Sequence, residues 1–527
     1  MTDLAGILDI LMFLTLIIAL MMGYPVAFTL AGVALAFGLI GLGLGLFQPS
    51  YFAALPQRVF GTMNNATLTA VPLFVLMGVI LERSKIAEDL LSTMGDLFGR
   101  LRGGLLYSTT LVGALLAAST GVVGATVVTM GLLALPAMLK RGYDPRLATG
   151  SIAAAGTLGQ IIPPSIVLIL LGDVIGNANQ RAQLQTGGAA GTEAVSVGDL
   201  FAGALVPGLV LVGLFLVYQA LVAWLRPHAA PAGEGAYPGV ARVVQALVAP
   251  LVLILAVLGS ILAGIATPTE GAAVGAAGAA LLAGWRLERD AGRARGGLAR
   301  LILLGGAALV ALVVIRLTVN TPALTGQAGG LSTLVTAVCV LLAAGGFAGV
   351  IGGLVALHRT KGLMPSLRSA MDITAMVFVI LIGAALFTLV FRGLGGDEWV
   401  ASMLEAVPGG LTGALLFTFL VMFLLGFFLD FIEICFVVVP LVAVPLIVMG
   451  ADPVWLGVMM ALVLQTSFLT PPFGFALFYL RGVAPPEVGT LQIYRGVVPF
   501  IGLQLLAVAI VWMMPQLATW LPGLLYQ

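Results

Sequence analysis

Charge is scarce in this chain of 527 residues. Only 9% are Asp, Glu, Lys or Arg while 61% are hydrophobic, against roughly 25% charged in an ordinary soluble domain. A water-soluble fold is excluded, and a single membrane-embedded body is the better reading than several globular domains. Cysteine is limited to Cys339 and Cys435, both in apolar stretches, so neither a disulfide framework nor a zinc cluster is available. The only histidines, His228 and His358, lie outside the apolar runs, which argues against haem or histidine-metal chemistry in the membrane. With a net charge of +1 and no long basic run, nothing supports nucleic-acid binding. None of Lys85, Lys140 and Lys361 follows a Walker glycine, and no Gly-x-Ser-x-Gly or His-Glu-x-x-His occurs. ATP bound to this chain is therefore not its energy source, and an enzyme is not expected. The N-terminus has no basic n-region and reads as a mature membrane helix, not a cleaved signal.

What the chain does have is apolar runs. Crossing the hydrocarbon takes about 20 residues, and full spans are expected at 5–22, 25–47, 147–175, 200–225, 243–265, 269–287, 301–319, 331–357, 373–391, 454–480 and 497–517. A shorter run, 67–81, has to be extended or tilted to cross. Two stretches do not fit. Residues 105–139 and 413–448 are apolar but interrupted by small polar knots, Ser119-Thr120-Gly121 and Asp430-Phe431-Ile432-Glu433. Each half is too short to span comfortably, so both stretches are read as re-entrant hairpins that enter and leave on one face. With the N-terminus outside, every Lys and Arg except Arg58, Arg181, Arg316 and Arg392 then falls on the cytoplasmic side, as the positive-inside rule demands. Making either hairpin a single crossing destroys that asymmetry.

The chain also repeats itself. At one constant offset, Gly142, Asp144, Pro145, Pro163 and Pro164 fall on Gly450, Asp452, Pro453, Pro471 and Pro472. In each copy a hairpin precedes Gly-x-Asp-Pro and then an apolar span broken by Pro-Pro. The first copy begins beside Lys140, Arg141 and Arg146. The second lies in a stretch free of Lys and Arg between Arg392 and Arg481, so the halves are inverted in the membrane. Inverted repeats with broken helices are the architecture of secondary transporters, with sites near the midplane at the breaks. Proline cannot donate to a helical carbonyl. The carbonyls of Gly159, Gln160, Ser467 and Phe468 are expected to need a cation, a water or a facing side chain.

Oxygen-bearing residues surround both breaks: Ser119, Thr120, Gly121, Thr157, Gly159 and Gln160 at the first, Asp430, Gln465, Thr466, Ser467 and Thr470 at the second. Hard cations take hydroxyl, amide, carboxylate and backbone oxygens. Taken singly, such hydroxyls are common at helix contacts; the paired clusters carry the reading. No Lys or Arg lies in either break, so an anionic substrate has to be held by helix N-termini, backbone N–H groups and bound cations. A cation-coupled carrier follows. A channel lacks a filter motif, and a proton-coupled carrier using Asp430 and Glu433 is the alternative.

Four segments carry a resemblance. Gly156-Thr157-Leu158-Gly159-Gln160-Ile161-Ile162-Pro163-Pro164-Ser165, Ala266-Thr267-Pro268-Thr269-Glu270, Thr374-Ala375-Met376-Val377 and Tyr494-Arg495-Gly496-Val497-Val498-Pro499-Phe500 together resemble the large membrane subunit of tripartite ATP-independent periplasmic (TRAP) transporters. The resemblance spans nearly the whole chain except about 289–362. It implies an all-α polytopic membrane protein of the bacterial inner membrane, an inverted-repeat elevator-type transporter with two re-entrant hairpins and about 12 spans. It implies uptake of an organic acid driven by Na+ ions, with a periplasmic substrate-binding protein and a small membrane subunit as partners.

Carried over by position, Ser119, Thr120, Gly121, Gly156, Thr157, Gly159 and Pro163 form one sodium site, and Asp430, Gln465, Thr466, Ser467 and Thr470 the other. Ser119, Gln160, Pro164, Ser165, Glu433, Pro471 and Pro472 are the implied substrate contacts. Segments 105–176 and 413–482 are the implied transport domain; 1–104, 177–288, 363–412 and 483–527 surround it. The bulky residues after Asp430 depart from the commoner family pattern and look like the branch associated with 2-oxo acids and related monocarboxylates. The inserted pair of spans in 289–362 preserves downstream orientation and is expected to be peripheral.

Overall fold

The computed structural model describes residues 2–121, 123–187, 194–233, 239–318 and 330–526, excluding the side chains of 2–5, 119–120, 316–318 and 330–333. Among the described residues every regular element is a helix. The Gly-x-Asp-Pro motif explains how each repeat unit is punctuated. Gly142 and Gly450 adopt φ of +79° and +103°, the left-handed conformation in which a glycine ends a helix without steric cost. Tyr143 N–H then bonds the Met138 carbonyl at 3.1 Å and Ala451 N–H the Leu446 carbonyl at 3.0 Å, the same Schellman closure twice. Two residues on, the Asp144 carboxylate accepts from Arg146 N–H and the Asp452 carboxylate from Trp455 N–H, with Pro145 and Pro453 at the first helical position. Acidic cap and N1 proline start the next helix at once.

Each unit is a helix pair followed by a broken helix. In the first, Gly104–Thr120 and Val123–Lys140 pack on each other before Pro145–Thr157, a short 3₁₀ turn and Ile166–Gln185. In the second, Gly410–Leu425 and the arm 431–448 lead to Pro453–Leu469 and Phe475–Val483. Both broken helices lie at the centre. Every residue of 147–160 and of 454–469 is buried, as expected of helices that are apolar all round. Surrounding helices such as Val26–Gly43, Val240–Leu262 and Leu363–Gly393 turn apolar faces outward, and Phe28, Trp224 and Leu341 are largely exposed. A surface of that kind suits hydrocarbon.

Helix length and composition group the spans differently from the expected twelve. Among the described residues nine helices are long and apolar enough to cross, or ten if the pair Gly396–Ala406 and Gly410–Leu425, bent by 118°, is one span. This set takes in Val123–Lys140 and Phe431–Val448, the second arms of both hairpins, and omits the short and broken helices. The inserted helices Gly297–Thr318 and Gly330–Arg359 pack on one another and on Pro268–Asp290. Gly305 faces the Gly349 backbone and Gly353 the Ala280 backbone so closely that no Cβ fits, the close approach that small residues permit between membrane helices. Arg316 belongs to the side chains outside the described set.

Candidate ion and substrate site

Each hairpin turn packs on the break of its own repeat. At Gly121, with φ of +61°, an added Cβ would lie 3.3 Å from Ile166 N and 3.6 Å from the Pro164 carbonyl. Gly159 approaches Ala117, and Gly156 leaves no room for a Cβ beside Val127. The side chains of Ser119 and Thr120, both expected in the site, lie outside the described set. In the second repeat Gly426 abuts the Ser467 side chain, and the Phe431 and Phe468 rings stand 6.1 Å apart. Both Pro163-Pro164 and Pro471-Pro472 bonds are cis.

The breaks satisfy part of their own backbone. The Ser165 hydroxyl donates to the Gln160 carbonyl at 2.8 Å, and Thr470 N–H to the Ser467 carbonyl at 3.0 Å. Ser165 thus serves the first break itself. Tyr494 donates through its hydroxyl to the Pro472 carbonyl at 3.0 Å, tying the last family-like segment to the second break. Thr466, Ser467 and Thr470 spend their protons on the carbonyls of Leu462, Leu464 and Thr466, each at 2.8 Å. Their oxygen lone pairs stay available as acceptors.

The two repeats meet at Thr157. Its hydroxyl donates to the Ala154 carbonyl at 2.8 Å and accepts from Gln504 Nε2 at 3.0 Å and, at the outer limit, from Gln465 Nε2 at 3.5 Å. Thr157 and Gln465 are 308 residues apart, the offset of the repeat, so equivalent positions of the two halves face each other. All three residues are buried, and the Gln465 and Gln504 carbonyl oxygens and both polar atoms of Gln160 have no hydrogen-bond partner among the described residues. Gln504 was not singled out above. An amide in the middle of the apolar stretch 497–514 was the available signal, since buried polar groups at membrane depth are costly unless used.

Asp430 and Glu433 sit together at one helix start, as the cap and the third helical residue. Asp430 is the N-cap of the second arm, with φ −71° and ψ 165°, and its carboxylate accepts from Phe431 N–H at 2.7 Å. A cap residue and the third residue of its helix face one another at a helix start, so the spacing of three keeps the two carboxylates within electrostatic range. Tyr479 lies against Gly124 of the first hairpin and within electrostatic range of Asp430, which brings the two hairpins together. Glu433 is buried at the edge of a small apolar cavity lined by Leu16, Leu20, Val26, Leu429 and Val437. It borders the N-terminal helices on one side and Asp430 on the other.

A family model, the DctM component of the tripartite ATP-independent periplasmic transporters, matches residues 13–315 and 296–517. The chain belongs to that family. The permease is 28% identical over 530 residues to the C4-dicarboxylate TRAP transporter large permease protein of Vibrio cholerae, covering 98% of this chain and 97% of the relative. It is 26% identical over 523 residues to the ectoine TRAP transporter large permease protein of Halomonas elongata, covering 98% and 99%. The crystal structure of the Alcanivorax borkumensis YdaH transporter shares the fold, with a TM-score of 0.50 at 17% identity over 89% of this chain and 87% of that one. The permease is thus the large membrane subunit of a binding-protein-dependent secondary transporter in the bacterial inner membrane, a transporter and not an enzyme. Such subunits work with a substrate-binding protein and usually a small membrane subunit.

Among the described residues the permease's breaks offer side-chain oxygens of Thr157, Gln160, Gln465, Thr466, Ser467, Thr470 and Asp430 as possible ligands. That set fits a hard monovalent cation.

Proposed function

We propose that this permease imports an organic acid anion coupled to Na+ ions, through an elevator movement of the two hairpins and broken helices against the surrounding helices. The observation that carries the reading is the meeting of Thr157 with Gln465 and Gln504 across the two repeats, with the amide oxygens of both glutamines buried and without hydrogen-bond partners among the described residues. Na+ at such sites would supply the positive charge that the breaks lack. Thr157, Gln160 and the first hairpin turn would hold one ion, and Asp430 with 465–470 the other. The hairpins turn back within the bilayer in this reading, so that their turns cover the breaks. The relatives' names give different substrates, a C4-dicarboxylate and ectoine, and this chain's departure after Asp430 favours a 2-oxo acid or related monocarboxylate. Reconstitution with its binding protein and small subunit, under sodium and proton gradients imposed separately, tests the coupling. Uptake that follows only the proton gradient refutes it.

The second reading is proton coupling through the carboxylates. Glu433 favours it, because one of its oxygens is buried with no hydrogen-bond partner among the described residues, between Asp430 and an apolar pocket.

A further inference from the structure

The expected topology left four basic residues outside, and three of them come together. Arg58 on the helix Leu55–Met63, Arg181 on Ile166–Gln185 and Arg392 near the end of Leu363–Gly393 line one cavity of about 420 Å³, within the size range of small-molecule sites. They lie close enough for their charges to repel one another. Sequence separations of more than a hundred residues hide this cluster from any motif search. Arg392 is held by Asp397 at 2.9 Å. Arg58 and Arg181 have no ion-pair partner among the described residues. The nearest wall carboxylate, Asp173, is engaged by Asn65 Nδ2 at 2.9 Å.

The Asp397 carboxylate, paired with Arg392, also acts on Arg58 and Arg181 from a distance; three guanidinium groups around one cavity still exceed it in charge, which suits an anion. A planar fork of donors matches a carboxylate in particular. The cavity is also shared between the two bodies. Arg58 and Arg392 stand on surrounding helices, while Asp173 and Arg181 belong to the second half of the first broken helix, Ile166–Gln185, which runs past the boundary expected at 176. Phe436, Pro440 and Val444 of the second hairpin complete the wall at every fourth residue. Phe436 lies six residues beyond Asp430, about 9 Å along a helix. The inner end of the cavity therefore approaches the second hairpin turn.

We propose that this cavity is an external receiving site for the carboxylate of the substrate, clamped between Arg58 and Arg181 before the anion reaches the breaks. The site rests on the organic-acid reading above and extends it, since the breaks themselves contain no basic residue. The clamp spans the moving and the static body, so anion binding favours the arrangement in which both arginines face one cavity.

The full-length permease in nanodiscs, with Asn177→Cys on the cavity rim and Cys339→Ser, reports occupancy through the rate of alkylation by a membrane-impermeant maleimide. No sodium and no binding protein are added. Pyruvate and succinate are expected to slow alkylation, whereas their uncharged amides do not. Arg58→Gln and Arg181→Gln are each expected to raise the half-protecting concentration by about tenfold or more, the loss expected for one charge-assisted hydrogen bond. The Lys variants, tested for folding by thermal unfolding, retain part of the protection. Repeating the assay in phosphatidylglycerol and in phosphatidylcholine separates a lipid headgroup from a soluble anion. Protection that survives in both Gln variants, or that only phosphatidylglycerol supplies, overturns the site whether or not uptake follows sodium. Protection lost in both supports it even if uptake proves independent of sodium.

Discussion

Thr157→Val tests the junction of the repeats with the least disturbance. Valine keeps the branched shape of threonine, so the tight packing beside the first hairpin is little changed, while the hydroxyl is lost. Gln504 Nε2, now 3.0 Å from that oxygen, is left buried without an acceptor, whereas the 3.5 Å approach of Gln465 is too long to add much. Leaving one buried donor unsatisfied costs about 1–3 kcal/mol. If the loss falls mainly on the ion-bound state, it raises the sodium concentration for half-maximal uptake by about 5- to 140-fold, at 1.4 kcal/mol per decade. The assay is sodium-dependent uptake in proteoliposomes, with the thermal unfolding midpoint measured in parallel. A double-mutant cycle with Gln504→Leu separates the contact from general damage, because removing the donor removes the penalty. A Thr157→Val permease with unchanged sodium half-saturation and unchanged unfolding refutes the reasoning. So does an equal cost of Thr157→Val with and without Gln504.

Asp430→Asn keeps an acceptor for Phe431 N–H and therefore the cap, so sodium-driven uptake is expected to vanish while the unfolding midpoint stays near wild type; full sodium coupling in this variant contradicts the site. Glu433→Gln is expected to leave sodium half-saturation unchanged, and loss of uptake driven by a pH gradient in this variant points to the proton-coupled reading. Gly426→Ala places a methyl group against the Ser467 side chain, and overpacking of about 1–3 kcal/mol is expected to lower the unfolding midpoint. Excision of the inserted helices is expected to leave a folded carrier, provided the cut follows Arg293, whose guanidinium pairs with Glu288 at 2.9 Å. A cut at 289 removes that partner, and comparing the unfolding of both deletions measures its role.

Composition and pattern determined a good deal. Low charge and long apolar runs made the chain a membrane protein, because a bilayer leaves no other place for so much apolar surface. The repeat was legible because its signals are local. Gly142 and Gly450 stop helices, Asp144 and Asp452 start them, and paired prolines break them, all through interactions within a few residues. Gly121 at the first hairpin turn, with φ of +61°, is a helix stop of the same local kind. Contacts between distant segments were decided only by the tertiary structure. Gln504 reaches Thr157 across 347 residues, and nothing in its own neighbourhood says so. The spacing of Asp430 and Glu433 put them together at one helix start, but the apolar pocket of N-terminal residues beside Glu433 is formed by a segment some four hundred residues away. Arg58, Arg181 and Arg392 were each assigned to the outer side by counting spans. Their convergence on one cavity depends on how the two repeats pack, and a one-dimensional pattern carries no record of that.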